Sequence, residues 1–163
     1  MVYFTSDQHF GHENIIHYCK RPYKTISEMN QSLIVNWNSI VNDSDLIFIL
    51  GDFSMHNIEH YMPLLNGNKV LIKGNHDRQH NISSLLITSH GTRIYMQHKP
   101  YLKEVPENTE LILCGHVHDK WRGKHWNGLP IINVGVDVWD YKPVSLDAIR
   151  NYALTLPNEV VGL

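Results

Sequence analysis

Short apolar runs separated by polar, glycine-containing loops set the pattern of this chain. Residues 2–5 and 45–50 read as buried strands, 69–73 and 94–97 as shorter ones, and 110–114 and 131–134 as two more. Between the first two, Met29, Leu33, Ile34, Trp37, Ile40 and Val41 recur at helical spacing, behind Thr25 and Glu28 at the spacing of a capping box. That predicts one amphipathic helix. Residues 58–65 predict a shorter helix closed by Asn66-Gly67, and Ser145 is placed to cap a third that runs through Ala153. Asn127-Gly128 is a hairpin signal. No segment repeats at a fixed period. The alternation of strands and helices predicts a mixed α/β fold whose loops, at one edge of a sheet, collect the functional residues.

Composition narrows the classes. The 163 residues are 42% hydrophobic and 18% charged, which suits a single domain spanning 1–163 and excludes the charge excess of a disordered chain. The longest uninterrupted apolar run falls far short of the roughly 20 residues that span a bilayer, and the N-terminus lacks the charged and apolar regions of a signal peptide. A cytoplasmic protein with no membrane association is expected. Cys19 and Cys114 make neither a CxxC pair nor a disulfide framework. The N-x-S matches at Asn30, Asn42 and Asn81 therefore carry no weight. A net charge of -2 argues against a broad surface for duplex DNA. Histidine is the outlier: 12 dispersed imidazoles point to metal or proton chemistry.

Five strand ends are rich in ligands: Asp7-Gln8-His9, Gly51-Asp52, Gly74-Asn75-His76-Asp77, His98, and Gly115-His116-Val117-His118. In extended chain, residues two apart project to the same side, so Asp7 with His9 and His116 with His118 are expected to face one point as pairs. Gly51, Gly74 and Gly115 allow tight turns there. Donors of Asp, Asn and His without thiolate suit manganese, iron or zinc better than a soft metal site.

This order of motifs resembles the calcineurin-like metallophosphoesterase superfamily. The match runs from Asp7 to His118, with 132–135 similar to the strand after the last histidine motif. The segment 7–21, with His9-Phe10-Gly11-His12, looks like the compact single-domain members of bacteria and phages. The resemblance implies a four-layer α/β/β/α sandwich with a dimetal site in loops at one end of the strands. By the same resemblance, Asp7, His9 and His118 match the ligands of one metal and Asn75, His98 and His116 those of the other, with Asp52 bridging. Two divalent ions are implied, manganese foremost, with iron, zinc or nickel as alternatives. They would carry +4 against the two aspartates, and the residual +2 favours phosphate. A hydroxide activated by both metals would attack, His76 would protonate the departing alkoxide, and Asp77 would tune or orient it. A small phosphate-ester substrate follows, a phosphodiester or nucleotide in preference to a phosphoprotein. The protein phosphatases of the superfamily carry D-R-G and G-N-H-E where this chain has Asp52-Phe53-Ser54 and Gly74-Asn75-His76-Asp77.

Blander readings stand beside these. Alone, Asp7, Asp52 or Asn75 would be a turn residue and His98 a structural histidine, and the joint pattern reverses that. His12 either faces the metals and substrate or satisfies a loop carbonyl. Arg78 either clamps a substrate phosphate or is a solvated loop residue. His17, His56, His60, His80, His90 and His125 read as surface residues. His12-Glu13 is followed by His17, one residue too far for HExxH. In 119–126, Trp121, Trp126 and three basic residues could hold a nucleotide, but indoles packed on the sheet are favoured. For 20–24 a solvated loop is favoured. P-loop, dinucleotide and G-x-S-x-G signatures are missing. The rivals are a nuclease acting on single-stranded ends and a non-catalytic interaction scaffold, which would tend to lose ligands that this chain retains.

Overall fold

The computed structural model describes residues 1–77 and 81–157. Strands β1 (Val2–Thr5), β2 (Leu46–Ile49) and β3 (Asn68–Leu71) are parallel and adjacent, and the two-residue β9 (Val144–Ser145) pairs antiparallel to β1 at the far edge. The second sheet holds β4 (Ser84–Ser89), β5 (Thr92–Gln97), β6 (Leu111–Cys114), β7 (Gly123–Trp126) and β8 (Leu129–Asn133), in the order β4-β5-β6-β8-β7. In register, Phe4 faces Phe48, which faces Val70; Met96 faces Leu113, which faces Ile132.

Period-two alternation sorts these residues into layers. Phe4, Phe48, Leu50 and Ile72 of the first sheet meet Ile94, Met96, Leu111, Leu113 and Ile132 of the second in one buried core. Their neighbours Ile47, Ile49 and Leu71 point the other way, onto Ile15, Ile16, Met29, Leu33 and Trp37. Each fully buried side chain of this kind stabilises the fold by roughly 1.5–3 kcal/mol relative to exposure. Two sheets flanked by helices result. On the outer face of the second sheet, Ile112, Cys114 and Ile131 are covered by Leu102, Val105, Trp121 and Trp126. The indoles thus pack on the sheet, and the basic residues beside them are engaged: Lys124 Nζ lies 4.6 Å from the Trp121 ring and the Arg122 guanidinium 4.6 Å from Trp139.

Helix α1 spans Asn14–Tyr18, α2 Ile26–Asn38, α3 Ile58–Tyr61 and α4 Leu146–Ala153. Thr25 caps α2 by accepting the Glu28 N–H, while the Glu28 carboxylate accepts the N–H of Lys24 instead of Thr25. Ser145 caps α4 through the Ala148 N–H. The helix expected over 58–65 divides, with Met62–Leu64 as a 3-10 turn, since Pro63 has no N–H to continue the α ladder. Asn127 and Gly128 take φ of 48° and 80°, as a two-residue hairpin loop requires. Among the described residues no helix is long and apolar enough to cross a membrane.

Beyond the strand ends the loops are stitched by backbone hydrogen bonds. Ser6 N donates to Val134 O and Val136 N to Ser6 O, both at 3.1 Å, which ties the first sheet to the second. Asp7 N donates to Gly51 O, His9 N to Asp52 O, and Gly115 N to His98 O. Four of the five ligand-rich segments are thus anchored in pairs, the first to the second and the fourth to the fifth.

Candidate metal centre

The donors are held by strained backbone. Asp7, His9, Asp52, His116 and His118 have φ between 49° and 71°, in the left-handed region. Such conformations cost of order 1 kcal/mol or more each and persist where the surroundings over-determine them. This corrects the expectation of extended pairs. His116 and His118 do not face one point; the reversal of chain at each sends them to different groups. Asp7 and His9 do share one.

Two groups form: Asp7 with His9 and His118, and Asp52 with His98 and His116. Their donor atoms lie within 4.8 Å of one another in each group. Asp52 joins them, with Oδ2 3.7 Å from His9 Nε2, 3.3 Å from His98 Nε2 and 4.0 Å from His76 Nε2. Asn75 Nδ2 is 3.1 Å from His116 Nδ1. The seven expected ligands and His76 thus converge. Asp7, His9, Asp52 and His98 are buried, whereas the His76 side chain is 39% exposed over them.

The donor set fits a metal. His9 Nε2 and His98 Nε2 are buried and have no hydrogen-bond partner among the described residues. An orphaned buried polar atom costs about 1–3 kcal/mol, which a ligand on that nitrogen would recover. His98 is already oriented: its Nδ1 lies 2.7 Å from Leu50 O, which leaves Nε2 turned to Asp52. In the same way His118 Nδ1 is 3.1 Å from Asp137 Oδ2, and Nε2 faces Asp7. Asp7 accepts the His116 N–H at 2.9 Å and the Ser6 hydroxyl.

Supporting residues escaped the sequence reading. Asp137 is fixed by Arg21, whose Nε and second amino group reach its oxygens at 2.8 and 2.9 Å. Arg21 also donates to Asp7 O and Gln8 O. The expectation of a solvated loop over 20–24 fails for Arg21, which is 4% exposed because its donors meet a buried carboxylate, two carbonyls and the Met29 sulfur. Asn133 holds the last loop, with Nδ2 donating to His118 O and Trp121 O. Cys19 lies with His118 and Asp137 in a further group. Asp77 is buried, and its carboxylate accepts the N–H groups of Asp52, Phe53 and Gly74 at 2.7–3.2 Å. Its bonds clamp the two loops together; none among the described residues goes to the His76 ring. Gly74 is obligatory there, since a Cβ would fall on Asp52 N.

Protonation follows from these contacts. Burial lowers His9 to about 2 and, with His98 nearby, His116 to about 4, so both rings are neutral. Burial acts against His98 and His118 too, but contact with Asp52 raises the first and the Asp137 hydrogen bond lifts the second to about 10. Burial pushes the Asp7 carboxyl up. Asp52, despite the same penalty, is held well below the carboxylate range by His98.

His12 faces the centre, half-buried, with Nδ1 3.3 Å from His9 Nδ1 and its ring 6.2 Å from that of His76. Arg78 and His80 lie outside the described residues. His17, His56, His60 and His90 are exposed, and His125 is half-buried.

No model of a known protein family matches the chain. It is 38% identical over 160 residues to the uncharacterized protein MJ1445 of Methanocaldococcus jannaschii, covering 91% of this chain and 88% of that one. Among solved structures, a protein of unknown function, AQ665 of Aquifex aeolicus, superposes with a TM-score of 0.74 at 28% identity over 93% and 98% of the two chains. A predicted phosphoesterase of Streptococcus pneumoniae shares the fold at TM-score 0.52 and 16% identity, over 82% and 71%. So does Vps29 of Entamoeba histolytica, solved in complex with zinc, at TM-score 0.52 and 17% identity over 82% and 73%.

Proposed function

Because the chain belongs to the family of the archaeal protein MJ1445 and has the calcineurin-like metallophosphoesterase fold, we propose that it is a metal-dependent phosphoesterase. The observation that carries this reading is the pair of orphaned, buried imidazole nitrogens on His9 and His98 that flank Asp52. Asp7, His9 and His118 would hold one divalent ion and Asn75, His98 and His116 the other, with Asp52 shared. Manganese is the first choice, and iron, zinc and nickel suit the same donors. Two such ions would supply a water of lowered pKa and positive charge at the phosphoryl oxygens.

The chain's own residues do the rest. His76 Nε2, exposed above Asp52, holds the proton that the leaving oxygen needs. In hydrolysis the water gives up one proton to solvent as its oxygen bonds to phosphorus, the ester P–O bond breaks, and the departing oxygen takes the His76 proton. The His76 N–H donates to Asp52 Oδ1 at 3.0 Å, which locks the donor loop to the shared carboxylate. Asp77 acts as a positioning residue through its three backbone bonds. The exposure of His76 over the buried donors and the lack of protein-phosphatase motifs favour a phosphodiester or nucleotide-like substrate.

Paired substitutions test this. Asp52→Asn is expected to lower bound metal, measured by plasma mass spectrometry, and turnover together. His76→Ala is expected to keep the metal and lose turnover roughly 100- to 10,000-fold. Equal metal loss in both variants would remove His76 from its role.

A further inference from the structure

Around the centre lie three features that this chemistry does not use. Among the described residues, Tyr18 and Tyr101 are the only exposed members of the Phe, Tyr and Trp set, at 71% and 65%. Each abuts a histidine of the site: Tyr18 stands 6.3 Å from the His12 ring at 78°, and Tyr101 6.1 Å from His116 at 76°. They end one chain of contacts that runs from Tyr18 through His12, His9, Asp52, His98 and His116 to Tyr101. The third feature is a cavity of about 240 Å³ that adjoins the second metal group through Asn75 and His98 and is lined also by Lys73, Ser83, Gln97 and Lys99. Among the described residues no carboxylate lines it. Among the described residues the ion pairs involve the N-terminus, Arg21 and the site histidines, which leaves Lys73 and Lys99 free.

We propose that the substrate is single-stranded nucleic acid, with Tyr18 and Tyr101 as base platforms either side of the scissile phosphate and the Lys73–Lys99 cavity as the seat of a neighbouring phosphate. The assignment rests on the phosphoesterase reading and names the substrate of that same centre. An exposed ring beside a charged site offers a base a π face without sequence preference. A mononucleotide occupies one platform; two platforms with the centre between them require at least two nucleosides joined by the scissile diester. The cavity is below the roughly 300–1,000 Å³ that encloses a whole ligand, and it suits one charged group. Bases of a duplex are already stacked on each other and cannot reach isolated rings. Two lysines on a chain of net charge -2 also give little purchase on a duplex backbone.

The test measures binding of a fluorescein-labelled ten-residue oligothymidylate by anisotropy, in chelator and over a range of salt, so that it does not depend on turnover. Tyr101→Ala and Tyr18→Ala should each weaken binding roughly 5- to 150-fold, with Tyr101→Phe close to wild type because stacking needs the ring and not the hydroxyl. The slope of log affinity against log salt should be about -0.7 in the wild type, from the one phosphate seated in the cavity, and should approach zero in Lys73→Ala/Lys99→Ala. Wild-type binding in Tyr101→Ala, equal loss in Tyr101→Phe, or tighter binding of a blunt duplex would overturn the assignment. Hydrolysis of a bis-aryl phosphodiester by the wild-type manganese protein is measured alongside. Hydrolysis without oligonucleotide binding overturns the platforms and leaves the phosphoesterase standing. Tyrosine-dependent binding without hydrolysis upholds the platforms and overturns the catalytic reading.

Discussion

At the scale of single residues, the histidines divide into two that are ready to ligate and two that must first release a proton. His9, lowered to about 2, and His116, lowered to about 4, are neutral throughout the physiological range. His98 is raised by Asp52, and His118 is raised to about 10 by Asp137. A raised folded value contributes stability that is complete below the unfolded value of about 6.5 and is lost as pH climbs through the folded one. The metal-free protein therefore loses this contribution between about pH 6.5 and 10. A metal on the same nitrogens has the opposite dependence, because the proton must leave before the ring can ligate. Metal affinity is expected to fall as pH drops from 9 to 6. Calorimetry at pH 7 in buffers of different ionisation enthalpy should find proton release, about one per protein from His118 alone; no release would contradict the assignment. The seven donors were legible because each follows a strand and three of them, Asp52, Asn75 and His116, sit directly after a glycine. Asp137 and Arg21 were not: they are 116 positions apart, and a short basic run looks solvated until its buried partner is placed.

At the scale of elements, β1, β2, β6 and β8 were readable as short apolar runs because they are largely buried and flanked by turn residues, and β5 by its alternation, Ile94 and Met96 being buried and their neighbours half-buried. β4 was overlooked, since its residues are half-buried or exposed and its only partner among the described residues is β5, across the His90-Gly91 turn. The short α1 and the two-residue β9 fall below the length at which periodicity has meaning. The loops between elements, by contrast, are where stability and function coincide. Arg21→Met would leave Asp137 buried without its main partner, and is expected to cost about 3 kcal/mol or more in urea unfolding. The same change should weaken metal binding roughly 10- to 100-fold through His118, which a purely structural defect far from the site would not do. Gly74→Ala should be comparably harmful. Its Cβ meets Asp52 N and Asp77 Oδ2, neither of which is the free end of a flexible chain. Trp121 supports the outer face of the second sheet, so Trp121→Ala should lower the unfolding midpoint while leaving the Michaelis constants for aryl and nucleotide esters in the same ratio. A selective rise for the nucleotide would contradict that role.

For the molecule as a whole, the two sheets are tied at their loop ends by Ser6 with Val134 and Val136, by the Leu50 carbonyl with His98 and by Asp7 with the His116 N–H, and the ligands of both proposed metals come from loops of both sheets. Metal binding should therefore act as a cross-brace. At a free concentration 100 times the dissociation constant, one ion adds about 2.7 kcal/mol, which for a chain of this size raises the melting temperature by roughly 5–10 °C. An unchanged melting temperature after chelation would show that the loops hold without it. The fold class was readable at this scale because five motifs in order constrain a topology more tightly than any single one. The cover on the second sheet was legible in part: the indoles of 119–126 were expected to pack on a sheet, whereas nothing local marks Leu102 and Val105 as their neighbours there. The claim that these loops form a hydrolytic metal centre is tested most directly by one assay. Metal-free protein would be supplied separately with manganese, iron, nickel, zinc and magnesium, and hydrolysis of an aryl phosphomonoester and a bis-aryl phosphodiester measured beside His76→Ala. The expected result is activity restored by metal, strongest with manganese and toward the diester, and lost in the variant. No hydrolysis with any metal, or equal rates in wild type and His76→Ala, would contradict it.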